Sequence, residues 1–170
     1  MKGLLFTGGK GPKRRYIEKE IDDSHLIVAA DSGFDLALRF GIKPDFIVGD
    51  MDSVVQVEEL RKEPQEKIKL FNHDKDETDT EIGLRILSEK GCDEITIVGG
   101  GGGRLDHLLG ILILFERKIR PSRWYTDKAH ISTVESSVKL NSLIGRKISF
   151  FPLGGHECTM ESRGLKWPLH

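Results

Sequence analysis

Short apolar runs that each end in a loop rich in glycine or aspartate recur along the first hundred residues of the chain. They cover residues 4–6, 25–30, 46–48, 68–71 and 94–98. Runs of this length with few polar interruptions are typical of strands that are buried on both faces of a parallel sheet. The repetition therefore predicts a sheet whose strands all end in polar or flexible loops.

Stretches with helical features lie between these runs. They cover residues 34–40, about 55–62, 78–90 and the segment after Arg104. Thr78 and Glu81 have the spacing of a capping box at the start of the third stretch, and Gly91 is placed to end it. Strands that alternate with helices predict an α/β fold with a doubly wound parallel sheet.

The pattern changes after about residue 128. Between residues 130 and 151 small polar residues alternate with β-branched residues, which predicts short antiparallel strands. Roughly 40 residues make a poor independent core. We therefore predict an α/β nucleotide-binding catalytic domain over residues 1–128 and a small, incomplete domain of β-strands over residues 129–170.

The charge and composition of the chain exclude several classes of protein. Its 26 basic and 27 acidic residues give a formal net charge of −1, so there is no electrostatic basis for a nucleic-acid or membrane partner. Cys92 and Cys158 lie far apart and lack the spacing of metal ligands. The first apolar run is too short for a signal peptide or a membrane span. We therefore expect a cytoplasmic protein.

Aspartates follow four of the predicted strands. They are Asp31, Asp50, Asp52, Asp74, Asp76, Asp79 and Asp106. Ligands of open α/β sheets bind at the carboxyl ends of the strands. Many carboxylates at that edge would repel one another unless a hard cation lay among them, and Mg²⁺ prefers oxygen ligands together with substrate phosphates. The cluster therefore predicts Mg²⁺-dependent nucleotide chemistry.

Two motifs carry the predicted metal ligands. If strand geometry continues past Gly49, then Asp50 and Asp52 point to the same side, although a turn and a helix cap would use the same residue types. Asp79 falls in the first turn of a predicted helix, where the helix dipole favours a carboxylate. Lys75, in the loop before that helix, is placed to meet a phosphate.

Five consecutive glycines, residues 99–103, lead into Arg104 and a predicted helix. A glycine loop that enters a helix N-terminus is a natural anion site, and a guanidinium matches the geometry of phosphate oxygens. The spacings of the dinucleotide fingerprint and of the Walker A loop are both absent. An oxidoreductase is therefore not expected. Trp167 would pack or would stack on a planar ligand.

Taken in order, these motifs resemble those of the thiamine pyrophosphokinase family. The matching segments are residues 30–33, 41–53, 76–79, 102–107 and 164–169. The resemblance implies a Rossmann-like α/β domain followed by a β-sandwich domain. It also implies transfer of the pyrophosphoryl group of ATP to the hydroxyl of thiamine, with release of AMP.

The resemblance also implies roles for individual residues. Mg²⁺ and the phosphates would be surrounded by five carboxylates, those of Asp31, Asp50, Asp52, Asp79 and Asp106, with Asp50, Asp52 and Asp79 as metal ligands. Nucleotide binding is expected at Asp31, Gly33, Lys75, Gly102, Gly103 and Arg104. Catalysis is expected from Asp79, Arg104 and Asp106, with either aspartate as proton acceptor. Trp167 would lie near the thiamine rings.

Members of this family work as homodimers, with the site between the α/β domain of one subunit and the β domain of the other. They continue for several strands beyond the segment that matches residues 164–169, and those strands carry a Ser-Asn pair of the thiamine site. We expect these last strands to be lacking here. Two alternatives remain open, which are a pyrophosphokinase for another small alcohol, such as a hydroxymethylpterin, and a non-catalytic nucleotide-binding module.

Overall fold

The protein contains a seven-stranded sheet in a computed structural model that describes residues 1–72, 76–140, 143–155 and 157–169. The strands are β1 (Lys2–Phe6), β2 (Leu26–Ala30), β3 (Phe46–Gly49), β4 (Ile68–Leu70), β5 (Glu94–Val98), β6 (Arg123–Tyr125) and β7 (His130–Ser132). Their order is β4-β3-β2-β1-β5-β6-β7, and only the β6–β7 pair is antiparallel. The predicted α/β fold with a parallel sheet is confirmed.

Alternate residues of the central strands enter two separate apolar cores, one on each face of the sheet. Leu4 and Phe6 of β1 belong to the core that contains Phe34, whereas Leu5 belongs to the core that contains Ile82. Because both faces are covered, the strands have the continuous apolar sequences that predicted them.

Helices cover both faces of the sheet. They are α1 (Glu18–Asp22), α2 (Gly33–Arg39), α3 (Val57–Leu60), α4 (Asp79–Glu89) and α5 (Leu105–Ile113). The predicted capping box of α4 is present, since the Glu81 amide donates to Thr78 Oγ1 at 3.2 Å and the Thr78 amide donates to Glu81 Oε2 at 2.9 Å. Among the described residues, no helix has both the length and the apolar character needed to cross a membrane.

One strand of the sheet, β6, was not evident from the sequence pattern, whereas β7 is antiparallel and falls in the segment of residues 130–151 where short antiparallel strands were predicted. Trp124 of β6 is buried, and its indole nitrogen donates to the Gly99 carbonyl at 2.9 Å. Trp124 also pairs across the antiparallel ladder with Ile131 of β7. The first compact unit consequently runs from Met1 to Thr133, and β7 lies beyond the boundary that was predicted at residue 128.

The second compact unit, Val134–His170, has no strand among its described residues, although antiparallel strands were expected there. Large apolar side chains such as Ile144 and Phe151 are exposed, so the described part of this short segment forms no core on which strands could pack. The amide of Leu169 donates to Ser162 Oγ at 2.8 Å and closes a local turn. A β-sandwich domain in this part of the chain stays a prediction.

Candidate active site

Three aspartates from separate elements come together at the carboxyl edge of the sheet. Asp31 follows β2, Asp50 follows β3, and Asp79 opens α4. One carboxylate oxygen of each lies within 4.8 Å of the corresponding oxygens of the others, and all three residues are partly buried. Oxygens at this separation are close enough for a single cation to contact all three.

The backbone at the strand ends bends sharply to bring these carboxylates together. Asp31 has φ of 50° and Met51 has φ of 64°, in the left-handed region that residues other than glycine seldom adopt. Gly49 has φ of 137°, and a Cβ atom there would lie 3.1 Å from Cγ of Asp79. Unusual backbone angles of this kind concentrate at functional sites, because the surrounding structure must stabilise them.

One oxygen of the group lacks a hydrogen-bond partner. Oδ1 of Asp31 is buried without a partner among the described residues, whereas its Oδ2 accepts a hydrogen bond from Ser53 Oγ. A buried carboxylate oxygen without a partner is unfavourable, and a cation would satisfy it. Because all the donors are carboxylate oxygens, the group fits a hard cation such as Mg²⁺ or Mn²⁺.

Asp52 lies outside this group. β3 ends at Gly49, and the left-handed conformation of Met51 interrupts the strand geometry that would have turned Asp50 and Asp52 to the same side. The amide of Asp52 instead donates to Asp50 Oδ1 at 3.3 Å, and the Asp52 side chain is exposed. A role for Asp52 as a metal ligand stays a prediction.

An open cleft lies between the ends of β1 and β5. Its volume is about 270 Å³, and it is lined by Gly8, Gly9, Gly100, Gly101, Gly102, Gly103, Arg104 and His107. The connections leave β1 and β5 toward opposite edges of the sheet, so the cleft is at a topological switch point, where open α/β sheets bind ligands. The predicted residues Gly102, Gly103 and Arg104 are therefore brought together here.

Backbone hydrogen bonds hold the two loops of this cleft in place. The amide of Gly100 donates to the Gly8 carbonyl at 2.7 Å. Lys10 and Gly101 exchange two further bonds, of 2.7 and 3.0 Å. Glycine is required where the loops touch, because a Cβ atom at Gly101 would lie 2.6 Å from the Lys10 carbonyl oxygen. The glycine run thus forms a defined loop on the first unit.

Arg104 and Asp106 form an ion pair at the start of α5. Nε of Arg104 donates to Asp106 Oδ1 at 3.2 Å, and Nη2 donates to Oδ2 at 2.5 Å. The hydrogen bonds from Arg104 lower the pKa of the Asp106 carboxyl from 3.8 to about 2. Both side chains are exposed, so the pair orients Arg104 more than it stabilises the fold. Three of the five guanidinium N–H donors stay available for phosphate oxygens.

Two further predicted site residues, Gly33 and Trp167, are among those that the structure describes. Gly33 is buried at the start of α2, where a Cβ atom would lie 2.2 Å from the Phe6 carbonyl oxygen, so it permits a close contact with β1. Trp167 belongs to the second unit, is 76% exposed, and has the Lys166 ammonium 4.5 Å from its ring centroid. Lys75 lies outside the described residues.

Two hydroxyl contacts near the carboxylates were missed from the sequence. Ser53 supports Asp31 through the hydrogen bond described above, and its place in the motif of residues 49–53 could have indicated this role. Thr7 Oγ1 lies 2.8 Å from Thr80 Oγ1, next to Asp79. No local pattern indicates this second contact, because the two threonines are far apart in the sequence.

Comparison with known proteins identifies the family. A model described as the catalytic domain of thiamin pyrophosphokinase matches residues 17–123, which is more than half of the chain. The chain belongs to the thiamin pyrophosphokinase family. The resemblance seen in the sequence motifs is therefore confirmed, and the matched thiamin pyrophosphokinase region contains all three aspartates of the group together with the glycine run and Arg104.

Individual thiamin pyrophosphokinases are similar across most of the chain. The thiamine pyrophosphokinase of Bacillus subtilis (strain 168) is 32% identical over an alignment of 181 residues. This alignment covers 100% of this chain and 83% of that protein. The crystal structure of thiamin pyrophosphokinase from Geobacillus thermodenitrificans has 28% identity and a TM-score of 0.57, covering 74% of this chain. The match spans 60% of the length of that solved relative.

Proposed function

We propose that the chain is a Mg²⁺-dependent transferase that moves the pyrophosphoryl group of ATP to the hydroxyl of thiamine, giving thiamine diphosphate and AMP. The observation that carries this proposal is the group formed by Asp31, Asp50 and Asp79 in a thiamin pyrophosphokinase-family chain, in which Oδ1 of Asp31 is buried without a hydrogen-bond partner among the described residues. The glycine cleft supports it, because a glycine loop and an arginine at a helix start suit a polyphosphate.

In this proposal the carboxylates hold the metal, and the cleft holds the phosphates. Bound Mg²⁺ would neutralise phosphate charge and help to hold the reacting groups in line. Asp52, which is exposed outside the carboxylate group, is proposed to join the metal site only once the nucleotide is bound, and Lys75 and Arg104 to bind phosphate oxygens. Arg104 can do so while it remains paired with Asp106, because the pair uses only two of its donors.

The proposed reaction is an in-line displacement. The thiamine hydroxyl oxygen forms a bond to the β-phosphorus, and the bond from that phosphorus to the oxygen shared with the α-phosphate breaks, so that AMP leaves with that oxygen. The hydroxyl proton passes to a carboxylate. The hydrogen bonds from Arg104 that hold the pKa of Asp106 at about 2 make it a weak proton acceptor, and a bound cation would weaken Asp79 in the same way, so either carboxylate is proposed for this step. Catalysis comes mainly from positioning and charge stabilisation.

The remaining parts of the site are proposed from the family resemblance. Trp167 would stack on the thiamine rings, and its exposure leaves the indole face accessible. We propose a homodimer in which residues 129–170 of one subunit complete the site of the other. A cytoplasmic location is proposed because both cysteines are free thiols.

The proposal is tested by incubating the purified chain with Mg²⁺, ATP and thiamine and measuring AMP and thiamine diphosphate together. Equal amounts of both products, lost on chelation and in the variant Asp31→Asn, would support it. Asp22→Asn is the matched control, because Asp22 is exposed and lies outside the carboxylate group. If AMP formed with a pterin alcohol but not with thiamine, the acceptor would be a pterin alcohol. If ATP bound but no AMP formed with any acceptor, the chain would be a non-catalytic module.

A further inference from the structure

A pair of threonine hydroxyls joins the end of β1 to the first turn of α4. Thr7 Oγ1 and Thr80 Oγ1 are 2.8 Å apart, and Thr7 is only 7% exposed. Thr7 directly follows β1, and Thr80 directly follows Asp79. The pair is therefore one residue away from a carboxylate of the proposed metal site.

Apolar packing alone is sufficient to dock α4 on the sheet. Ile82, Leu84 and Leu87 are buried, and Gly83 lies so close to Leu5 that a Cβ atom there would be 2.5 Å from Leu5 Cδ1. These contacts begin one turn after Asp79. They hold the body of the helix, and the hydroxyl pair adds a polar contact between its first turn and the end of β1.

The backbone of Thr7 is held firmly enough for its side chain to orient that turn. Its amide donates to the Val98 carbonyl at 2.9 Å, which continues the ladder between β1 and β5. Gly33 and Gly99 approach its backbone closely, since Cβ atoms at those positions would lie 2.8 Å from Thr7 Cα and 2.2 Å from the Thr7 carbonyl oxygen. The backbone of Thr7 is thus held between β2, β5 and their following loops.

We propose that Thr7 is a positioning residue for the metal site, acting through Thr80 to set the first turn of α4 and with it the Asp79 carboxylate. This inference rests on the proposed function for the identity of the ion. Thr7 itself contacts neither the ion nor a substrate in this scheme. Its hydroxyl fixes the distance between Asp79 and the strand-end carboxylates of Asp31 and Asp50.

The test compares variants that keep side-chain shape and remove one hydroxyl. In Thr7→Val and Thr80→Val, affinity for Mn²⁺, measured by electron paramagnetic resonance without nucleotide, is expected to fall about fivefold, the equivalent of one hydrogen bond. The Mn²⁺ affinity of the double variant is expected to be no lower than that of either single variant, because both substitutions remove the same contact. Thr7→Ser is expected to restore wild-type affinity.

Thr96→Val is the matched control. Thr96 is 3% exposed and its hydroxyl donates to Glu20 Oε2 at 3.3 Å, so this change also removes a buried threonine hydroxyl, but from the middle of β5. It is expected to leave Mn²⁺ affinity unchanged. An equal loss of affinity in Thr96→Val, or wild-type affinity in both Thr7→Val and Thr80→Val, would overturn the proposal.

Amide hydrogen exchange tests the positioning role of Thr7 independently of which metal binds. The amides of Glu81 and Ile82, which donate to Thr78 in the first turn of α4, are expected to exchange several-fold faster in Thr7→Val, while those near Leu87 keep wild-type rates. If wild-type chain bound no Mn²⁺, the metal site of the proposed function would be refuted, and the exchange data would still decide whether Thr7 fixes this turn. Unchanged exchange throughout α4 would overturn the positioning role.

Discussion

Gly49 and Asp79 lie in direct contact at the centre of the carboxylate group. A Cβ atom at position 49 would be 3.1 Å from both Cγ and Oδ1 of Asp79, and 3.3 Å from Cβ of Asp31. The absence of a side chain at Gly49 therefore determines how closely the end of β3 approaches the first turn of α4. This contact connects a local backbone feature to the spacing of the three carboxylates.

Gly49→Ala is expected to lower Mn²⁺ affinity at least about tenfold, because the added methyl group must push apart the carboxylates of Asp31 and Asp79. Gly91→Ala is the control for backbone strain. Gly91 also has a positive φ, of 88°, but nothing lies within 4 Å of a Cβ atom there. Both variants should lose about 1 to 3 kcal/mol of unfolding free energy from strain, and only Gly49→Ala should lose metal affinity in a Mn²⁺ titration. Equal affinities in the two variants would contradict the prediction.

Asp50→Asn is expected to weaken Mn²⁺ binding at least about tenfold, and Asp52→Asn less than about threefold. The physical reason is that Asp50 supplies an oxygen to the carboxylate group, whereas the side chain of Asp52 is exposed outside it. Isothermal titration calorimetry with Mn²⁺ in the absence of nucleotide measures the affinity of both variants. A loss in Asp52→Asn as large as that in Asp50→Asn would show instead that Asp52 is a ligand, as the sequence pattern suggested.

The Asp106 carboxyl is expected to titrate near pH 2, and Arg104→Gln should raise its pKa toward the ordinary value of 3.8, because the hydrogen bonds from Arg104 stabilise the ionised form. Since the folded-state pKa is lowered, the stabilising effect of the pair is present above about pH 3.8 and is lost as the pH falls through about 2. Carboxyl ¹³C NMR on the folded chain measures the midpoint. A wild-type midpoint of 3.8 would mean that the pair does not form in solution.

Gly33→Ala is expected to reduce the free energy of unfolding by more than about 2 kcal/mol, because the new methyl group would meet backbone atoms of Phe6 and Thr7 that cannot easily move. Gly110→Ala provides the comparison. Nothing lies within 4 Å of a Cβ atom at Gly110, which is inside α5, so this change should stabilise the chain by up to about 1 kcal/mol. Urea unfolding of both variants measures the difference. Similar stabilities would contradict the close contact at Gly33.

The sequence was sufficient to predict the helices and strands that are determined by residues close together in the chain. The strand of residues 94–98 and the α4 helix with its capping box at Thr78 and Glu81 lie where predicted, because apolar runs and capping residues act over a few positions. The family was also recognisable, since its motifs occur in order along the chain. The convergence of Asp31, Asp50 and Asp79 followed from the rule that parallel strands end at one edge.

Features that depend on long-range contacts or on unusual backbone angles could not be predicted. Nothing in the residue type of Met51 indicates a left-handed conformation, and that conformation separates Asp52 from Asp50. The pairing of His130–Ser132 with the first sheet depends on β6, which has only three residues. The hydrogen bond between Thr7 and Thr80 likewise exists only after β1 and α4 have come together.

Because Asp31, Asp50 and Asp79 are contributed by segments that are distant in the sequence, their arrangement exists only in the folded chain. An ion that binds this arrangement has no equivalent site in the unfolded chain and therefore shifts the folding equilibrium toward the native state, by about 2.7 kcal/mol when its free concentration is 100 times the dissociation constant. Under the proposed function, the free magnesium concentration would then govern the lifetime of the protein against proteolysis as well as its rate of turnover.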